Sequence, residues 1–278
     1  MPAVQIGDIT IGKGHPLALI AGPCVIEDET TVFETAGHLA TVCDQVGLPL
    51  IFKSSYEKDN RTSVESYTGP GLAEGLQILA RVKREFKIPV TADVHRLEDI
   101  DAAADVLDLI QIPAFLCKQT SLLMKAGSAG KPVNIKKGQF LSPEEASDII
   151  GKFIETGNTH LLLTERGTCF GYNHLIADMC SIPIMQSFGV PVVFDASHVV
   201  LRFNTLPGSI PPGGRWEFVP HLVRAAVAVG CNAFFIECHP APARARCDAA
   251  SMVPLAEMES LVRQATALGK LIREWEIA

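Results

Sequence analysis

The sequence has no apolar run approaching the roughly 20 residues needed to cross a bilayer, and residues 1–20 lack the basic start and long apolar core of a secretory signal. No membrane association is expected, and the expected location is cytoplasmic. There is no basic excess either: 24 Lys and Arg against 31 Asp and Glu leave a formal charge of -7, which removes any general attraction to nucleic acid but allows a local basic pocket. The 8 cysteines include no Cys-x-x-Cys pair, so neither a zinc knuckle nor a disulfide framework is indicated. Cys43, Cys117, Cys180 and Cys231 are expected to be buried thiols. The first strand candidate is not followed by Gly-x-Gly-x-x-Gly, and the Gly-Lys dipeptides lack phosphate-loop spacing, so nucleotide binding has no motif support. Short-period repeats, low-complexity tracts and an evident linker are also absent, which predicts one domain over residues 1–278.

What is present is a regular alternation. A Gly-marked segment, residues 4–14, reads as a hairpin closing the bottom of a barrel. Eight apolar strand candidates follow, at residues 17–21, 50–53, 90–93, 107–112, 132–136, 160–164, 191–195 and 233–237. Helical spacing marks residues 31–46, 71–86, 97–104, 120–126, 143–156, 174–188, 218–229 and 255–276. Buried strands separated by helices imply a parallel sheet, and eight such units favour a closed (β/α)8 TIM barrel, an α/β fold, over a doubly wound open sheet.

Polar residues fall at or just beyond the strands' C-terminal ends: Cys24, Lys53, Asp93, Gln111, Lys136, Arg166, His198 and Glu237. In a barrel those ends ring one mouth, where the chemistry resides. The segment from Lys53 to Ser63 contains Ser55, Lys58, Asn60, Arg61 and Thr62, and it suits an anion with oxygen-rich neighbours, although a solvated charged loop has the same composition. Lys136 and Arg166 on neighbouring strands would repel unless paired with acids or given a phosphate or carboxylate. A Schiff-base role for Lys136 remains an alternative. Across the closing seam, Cys24, His198, Glu237 and Asp248 form a mixed S, N and O donor set for zinc, iron or manganese, with His239 and Cys247 as competing donors.

The ordered blocks Ala21-Gly-Pro-Cys24, Lys53-Ser-Ser-Tyr-Glu-Lys58-Asp-Asn60-Arg61-Thr-Ser63, Ala92-Asp93-Val-His95, Gln111-Ile-Pro-Ala-Phe115 and Asn134-Ile-Lys136-Lys-Gly-Gln-Phe140 are similar to those of the KDO8P synthases. So are Thr164-Glu-Arg166-Gly, Phe194-Asp195-Ala-Ser-His198 and Phe235-Ile-Glu237-Cys-His-Pro240, so the resemblance covers almost the whole chain. It implies condensation of phosphoenolpyruvate with D-arabinose 5-phosphate and water, giving KDO8P and phosphate, toward a lipopolysaccharide sugar. It further implies Lys58, Lys136 and Arg166, with Gln111 nearby, for phosphoenolpyruvate; Lys58 and Lys136 are the candidate catalytic groups for stabilising anionic oxygens, and Asp93 and His198 are candidates for proton transfer where a reacting oxygen lies within their reach. For the sugar phosphate it implies Asn60, Arg61, Thr62 and Ser63, with Lys53, Ser55 and Asp93 also in the substrate-binding mouth. Cys24 stands where metal-independent relatives carry Asn, which implies the metal-dependent form with Cys24, His198, Glu237 and Asp248 as ligands. The resemblance implies a homotetramer and one divalent ion per subunit, with cadmium or cobalt as substitutes in vitro. Residues 201–215 and Asp248-Ala-Ala-Ser depart from the family pattern. The alternatives are the related synthase that uses erythrose 4-phosphate and a noncatalytic barrel that binds phosphorylated metabolites.

Overall fold

The computed structural model describes residues 3–61, 63–202 and 213–277. A hairpin of β1 (Val4–Ile6) and β2 (Ile9–Ile11) comes first. Seven parallel strands follow: β3 (Ala18–Gly22), β4 (Leu50–Lys53), β5 (Val90–Asp93), β6 (Leu109–Ile112), β7 (Val133–Lys136), β8 (Leu161–Glu165) and β9 (Val192–Asp195). After the two-residue pair β10 (Leu201–Arg202) and β11 (Gly213–Gly214), β12 (Ala233–His239) is bonded to both β9 and β3. The sheet therefore closes on itself as the eight-stranded barrel expected. A short β13 (Val253–Pro254) pairs with the end of β12 at Cys238 and His239, which carries the last barrel strand two residues past the expected boundary.

Among the described residues the eight α-helices are α1 (Glu29–Val46), α2 (Leu72–Phe86), α3 (Ile100–Val106), α4 (Thr120–Ser128), α5 (Ala146–Ile154), α6 (Ser181–Ser187), α7 (Val219–Val229) and α8 (Met258–Ile277). Each strand's outward residues, such as Leu19, Phe52, Ile110 and Phe194, pack beneath them. Their inward neighbours Ile20, Ile51, Leu109, Leu162, Val193 and Phe235 form the lower barrel core, onto which Val4, Ile6 and Ile11 of the hairpin close. Burying each of those three hairpin side chains contributes about 1.5–3 kcal/mol, enough to hold a short hairpin as a floor.

Two expectations need correction. Helical spacing over 174–188 yields a helix only at Ser181–Ser187. Thr168 and Ile176 exchange backbone hydrogen bonds as an antiparallel bridge, His174 bridges Arg202, and Asp178 accepts from Cys180 N, so helix cannot begin earlier. Cys180 is exposed rather than buried, because it sits at the outer side of that capped turn, whereas Cys43, Cys117 and Cys231 are buried as expected. Of the eight thiols only Cys169 and Cys180 are exposed. These two are expected to react rapidly with a thiol reagent in the native protein and the other six only on unfolding, a difference that thiol titration with and without denaturant would read.

Candidate active site

Above the apolar floor, the inward positions turn polar. Lys53, Thr91, Asp93, Gln111, Asn134, Lys136, Thr164, Asp195 and Glu237 are all buried, and each lies an even number of residues from an inward-facing apolar or polar neighbour on its strand. Such a layer is tolerable only if its members satisfy one another. Around Asp93 they do: it receives Lys136 at 3.0 Å, Lys58 and Ser55 each at 3.1 Å and Gln111 at 2.9 Å. Burial would raise the Asp93 carboxyl, but Lys136, Lys58 and Lys53 outweigh it and hold the group well below its usual range. Burial pushes the Lys136 ammonium below its usual pKa; Asp93 opposes this, and Lys58 and Lys53 add to it. Phe235 lies beneath both Lys53 and Lys136, its ring centroid 5.5 and 5.0 Å from their Nζ atoms.

At the seam, Glu237 pairs with Gly22 across β12 and β3, which sets Cys24 beside it. A side chain at Gly22 would place its Cβ 2.1 Å from the Lys53 carbonyl oxygen, so the close approach of this turn requires glycine. His198 Nε2 lies 3.8 Å from Glu237 Oε2 and 3.8 Å from Asp248 Oδ2. Cys24 Sγ lies 3.2 Å from Asp248 Oδ2 and 2.9 Å from Cys247 Sγ. The four expected ligands are thus gathered as two triads sharing Asp248: His198, Glu237 and Asp248, and Cys24, Cys247 and Asp248.

The surroundings fit a cation. Glu237 Oε2 is buried without a hydrogen-bond partner, while Lys53 occupies Oε1 at 2.6 Å. Burial would raise the Glu237 carboxyl, yet Lys53, His198 and Lys58 hold it ionised. Asp195 takes His198 Nδ1 at 2.6 Å and also receives the backbone N–H groups of Ser197 and His198, so Nδ1 is held by the carboxylate and Nε2 faces the seam. Burial, with Cys247 alongside, raises the Cys24 thiol well above its usual value, so ligation there would release a proton.

A cavity of about 520 Å³ opens above this layer, lined by Lys58, Asn60, Arg61, Asp93, Lys136, Arg166, His198 and Asp248 among others. Glu165 accepts Gly167 N at 2.6 Å, shaping the turn that projects Arg166 inward. The Arg166 guanidinium is buried, has no carboxylate within 4 Å among the described residues, and meets only Gln139 at 3.5 Å. Arg61 donates to Cys247 Sγ at 2.7 Å and to the Arg246 carbonyl at 3.0 Å, tying the segment after β4 to the loop that carries Asp248.

Not every expected residue reaches the cavity. Lys53, Ser55 and Gln111 lie behind its wall, with Lys53 on Glu237 and Cys24 O, and the other two on Asp93. Ser63 is exposed and away from it, and Thr62 and residues 203–212 lie outside the described residues. Sequence reasoning missed Asp195 as the partner of His198, Gln139 beside Arg166, and the part of Asn134. The Asp-Ala-Ser-His spacing at a strand end was the available signal for Asp195, since it returns the imidazole onto the carboxylate.

Comparison with known proteins adds the chemistry. The DAHP synthetase I family profile matches residues 2–274. The 2-dehydro-3-deoxyphosphooctonate aldolase of Geobacter sp. (strain M21) is 48% identical over 273 residues, covering 98% of each chain. The enzyme of the same name from Trichlorobacter lovleyi is 50% identical over 272 residues, covering 97% of this chain and 98% of that one. The Geobacter sulfurreducens enzyme is 47% identical over 270 residues, with the same coverage as the Trichlorobacter protein. With its closed barrel, cation-lined cavity and seam of metal donors, the chain belongs to the DAHP synthetase I family, among the 2-dehydro-3-deoxyphosphooctonate aldolases, or KDO8P synthases.

Proposed function

We propose that the chain condenses phosphoenolpyruvate with D-arabinose 5-phosphate and water, releasing KDO8P and inorganic phosphate, the reaction that its relatives' names denote. The observation that carries this reading is Arg166, a buried residue lining the cavity with no carboxylate within 4 Å among the described residues, in the same lining as Lys58 and Lys136, which share Asp93. Such a set is incomplete until an anion with several charged oxygens enters.

In this mechanism Lys58, Lys136 and Arg166 hold the phosphate and carboxylate of phosphoenolpyruvate, while Asn60 and Arg61 hold the sugar phosphate. The enolic carbon attacks the aldehyde, water adds at the carbon bearing the phosphate ester, and the resulting tetrahedral intermediate loses phosphate by carbon–oxygen cleavage. Lys58 and Lys136 stabilise the anionic oxygens that develop, and Asp93 fixes both ammonium groups. Glu237, His198, Asp248 and Cys24 would hold one divalent ion, zinc, iron or manganese, which supplies positive charge to orient and polarise the aldehyde or the water. Asp195 holds His198 at Nδ1, leaving Nε2 as the atom that faces the seam.

A homotetramer in the cytoplasm completes the proposal. No helix among the described residues is long and apolar enough to cross a membrane. Phe170 and Tyr172, 82% and 95% exposed beside the mouth, support burial against a second copy. For the substrate, arabinose 5-phosphate is expected to drive phosphate release at least tenfold faster than erythrose 4-phosphate, because Asn60 and Arg61 stand at the cavity wall to meet the longer sugar's phosphate. A phosphate-release assay with each aldehyde decides it, and faster turnover of erythrose 4-phosphate would reverse the assignment.

A further inference from the structure

Four buried side chains on adjacent strands form a connected series. Thr164 Oγ1 on β8 donates to Asn134 Oδ1 on β7 at 2.7 Å. Asn134 Nδ2 donates to Gln111 Oε1 on β6 at 2.9 Å, and Gln111 Nε2 donates to Asp93 Oδ1 on β5, also at 2.9 Å. Strand register brings them together, since Asn134 and Gln111 are backbone partners, as are Gln111 and Asp93. Thr164, Asn134 and Gln111 are fully buried, and none lines the cavity.

The direction of this series is dictated from one end. Asp93 is surrounded by Lys136, Lys58 and Ser55 and can only accept, so Gln111 must turn its NH2 group toward it. Gln111 then shows its oxygen to Asn134, which must supply its own NH2 group. Asn134 in turn shows its oxygen to Thr164, whose single hydroxyl hydrogen is committed there. Turning any one amide over would oppose oxygen to oxygen or NH2 to NH2 at a buried contact.

We infer that Thr164, Asn134 and Gln111 are positioning residues for the condensation: they form a one-way hydrogen-bond relay that fixes Asp93, and through it the ammonium groups of Lys58 and Lys136, without touching substrate. The inference rests on the phosphoenolpyruvate reading of the cavity. Gln111, which the family resemblance places near that substrate, has both ends of its amide engaged and acts through Asp93. The relay extends control of the two lysines across four strands, to a threonine whose hydroxyl donates to Asn134. Because Arg61 is held by Cys247 and the Arg246 carbonyl, and neither it nor Asn60 hydrogen-bonds to any of the four among the described residues, the relay governs phosphoenolpyruvate and not the sugar.

The test compares Thr164→Val, Thr164→Ser and Asn134→Asp with the metal-loaded wild type. Thr164→Val keeps the shape and removes the relay's first hydrogen. Thr164→Ser keeps that hydrogen. Asn134→Asp can accept from Thr164 but gives nothing to Gln111, so Gln111 loses its orientation. Expected are a rise of about tenfold in KM for phosphoenolpyruvate in Thr164→Val and a fall approaching a hundredfold in kcat/KM for Asn134→Asp, with KM for arabinose 5-phosphate unchanged and Thr164→Ser close to wild type. Binding of phosphoenolpyruvate alone, measured by calorimetry, should weaken in step. Thr164→Val that lowers thermal stability yet keeps the wild-type KM and affinity for phosphoenolpyruvate would overturn the relay and leave a purely structural series. Wild-type protein that binds no phosphoenolpyruvate would overturn the functional reading itself, and the relay with it.

Discussion

Removing divalent ions is expected to abolish nearly all KDO8P synthesis, and restoring zinc, iron or manganese singly is expected to recover it. The reason lies in what the seam leaves open. Glu237 Oε2 is buried and unpartnered, His198 Nε2 is held facing it by Asp195, and Asp248 and Cys24 close the other side at 3.2 Å from one another. Asp248 also sits in the left-handed backbone region, φ 48°, a conformation that costs a non-glycine residue about 1 kcal/mol or more and persists only when its surroundings hold it. Cys24→Ala is expected to lower activity by more than about a hundredfold, exceeding the 10–100-fold typical of losing a partner outside the ligand set. It removes one of the two sulfurs at the seam while leaving His198, Glu237 and Asp248 able to hold an ion weakly. Cys24→Asn separates the two designs, since its amide can hydrogen-bond where the thiolate would ligate. Metal content, turnover and thermal unfolding should be measured together on each variant. Turnover by rigorously metal-free wild-type protein at the metal-loaded rate would end the metal-dependent reading while leaving the substrates in place.

Why so much of this was visible in the sequence, and some of it hidden, follows from the barrel's geometry. All eight strands were legible because both faces of each lower strand are apolar, outward against helices and inward against the floor. The mouth was legible because a polar residue ending such a run, as Lys53, Lys136 or Glu237 does, has nowhere else to go. Depth was not legible. Lys53 and Lys136 each end a four-residue strand, yet only Lys136 reaches the cavity, while Lys53 is drawn sideways to Glu237. Asn134 and Thr164 read as ordinary strand residues, because their meaning lies in cross-strand partners that a single chain's periodicity does not encode. The helical reading of 174–180 failed for a related reason. Leu175, Ile176 and Met179 have helical spacing, but Ile176 is committed to Thr168 across the loop.

The second large effect concerns Asp93, the carboxylate on which the mouth's lysines converge. Asp93→Asn is expected to destabilise the fold by about 3–5 kcal/mol, the loss typical when a buried ion pair keeps its cations and loses its anion. Lys58 retains Glu237 at 3.8 Å and Lys53 retains it at 2.6 Å, so the burden falls on Lys136, whose described carboxylate partner within 4 Å is Asp93 alone. Without Asp93 to oppose burial and the neighbouring lysines, Lys136 is then expected to lose its proton more readily, and turnover should fall by a hundredfold or more because fewer molecules present a charged donor. The pH dependence of the wild type follows the same sign. Asp93 has a folded-state pKa well below its unfolded value, so its contribution to stability is present above about pH 4 and is lost as pH falls toward the folded-state value. Pairing Asp93→Asn with Lys136→Met, which removes the stranded cation and keeps its stem over Phe235, should return most of the lost stability without returning activity. Denaturant unfolding of the two single variants and the double variant forms a cycle that reads the coupling directly. A double variant no more stable than Asp93→Asn would show that Lys136 is not what Asp93 neutralises, and a double variant active at the wild-type rate would remove both residues from the chemistry.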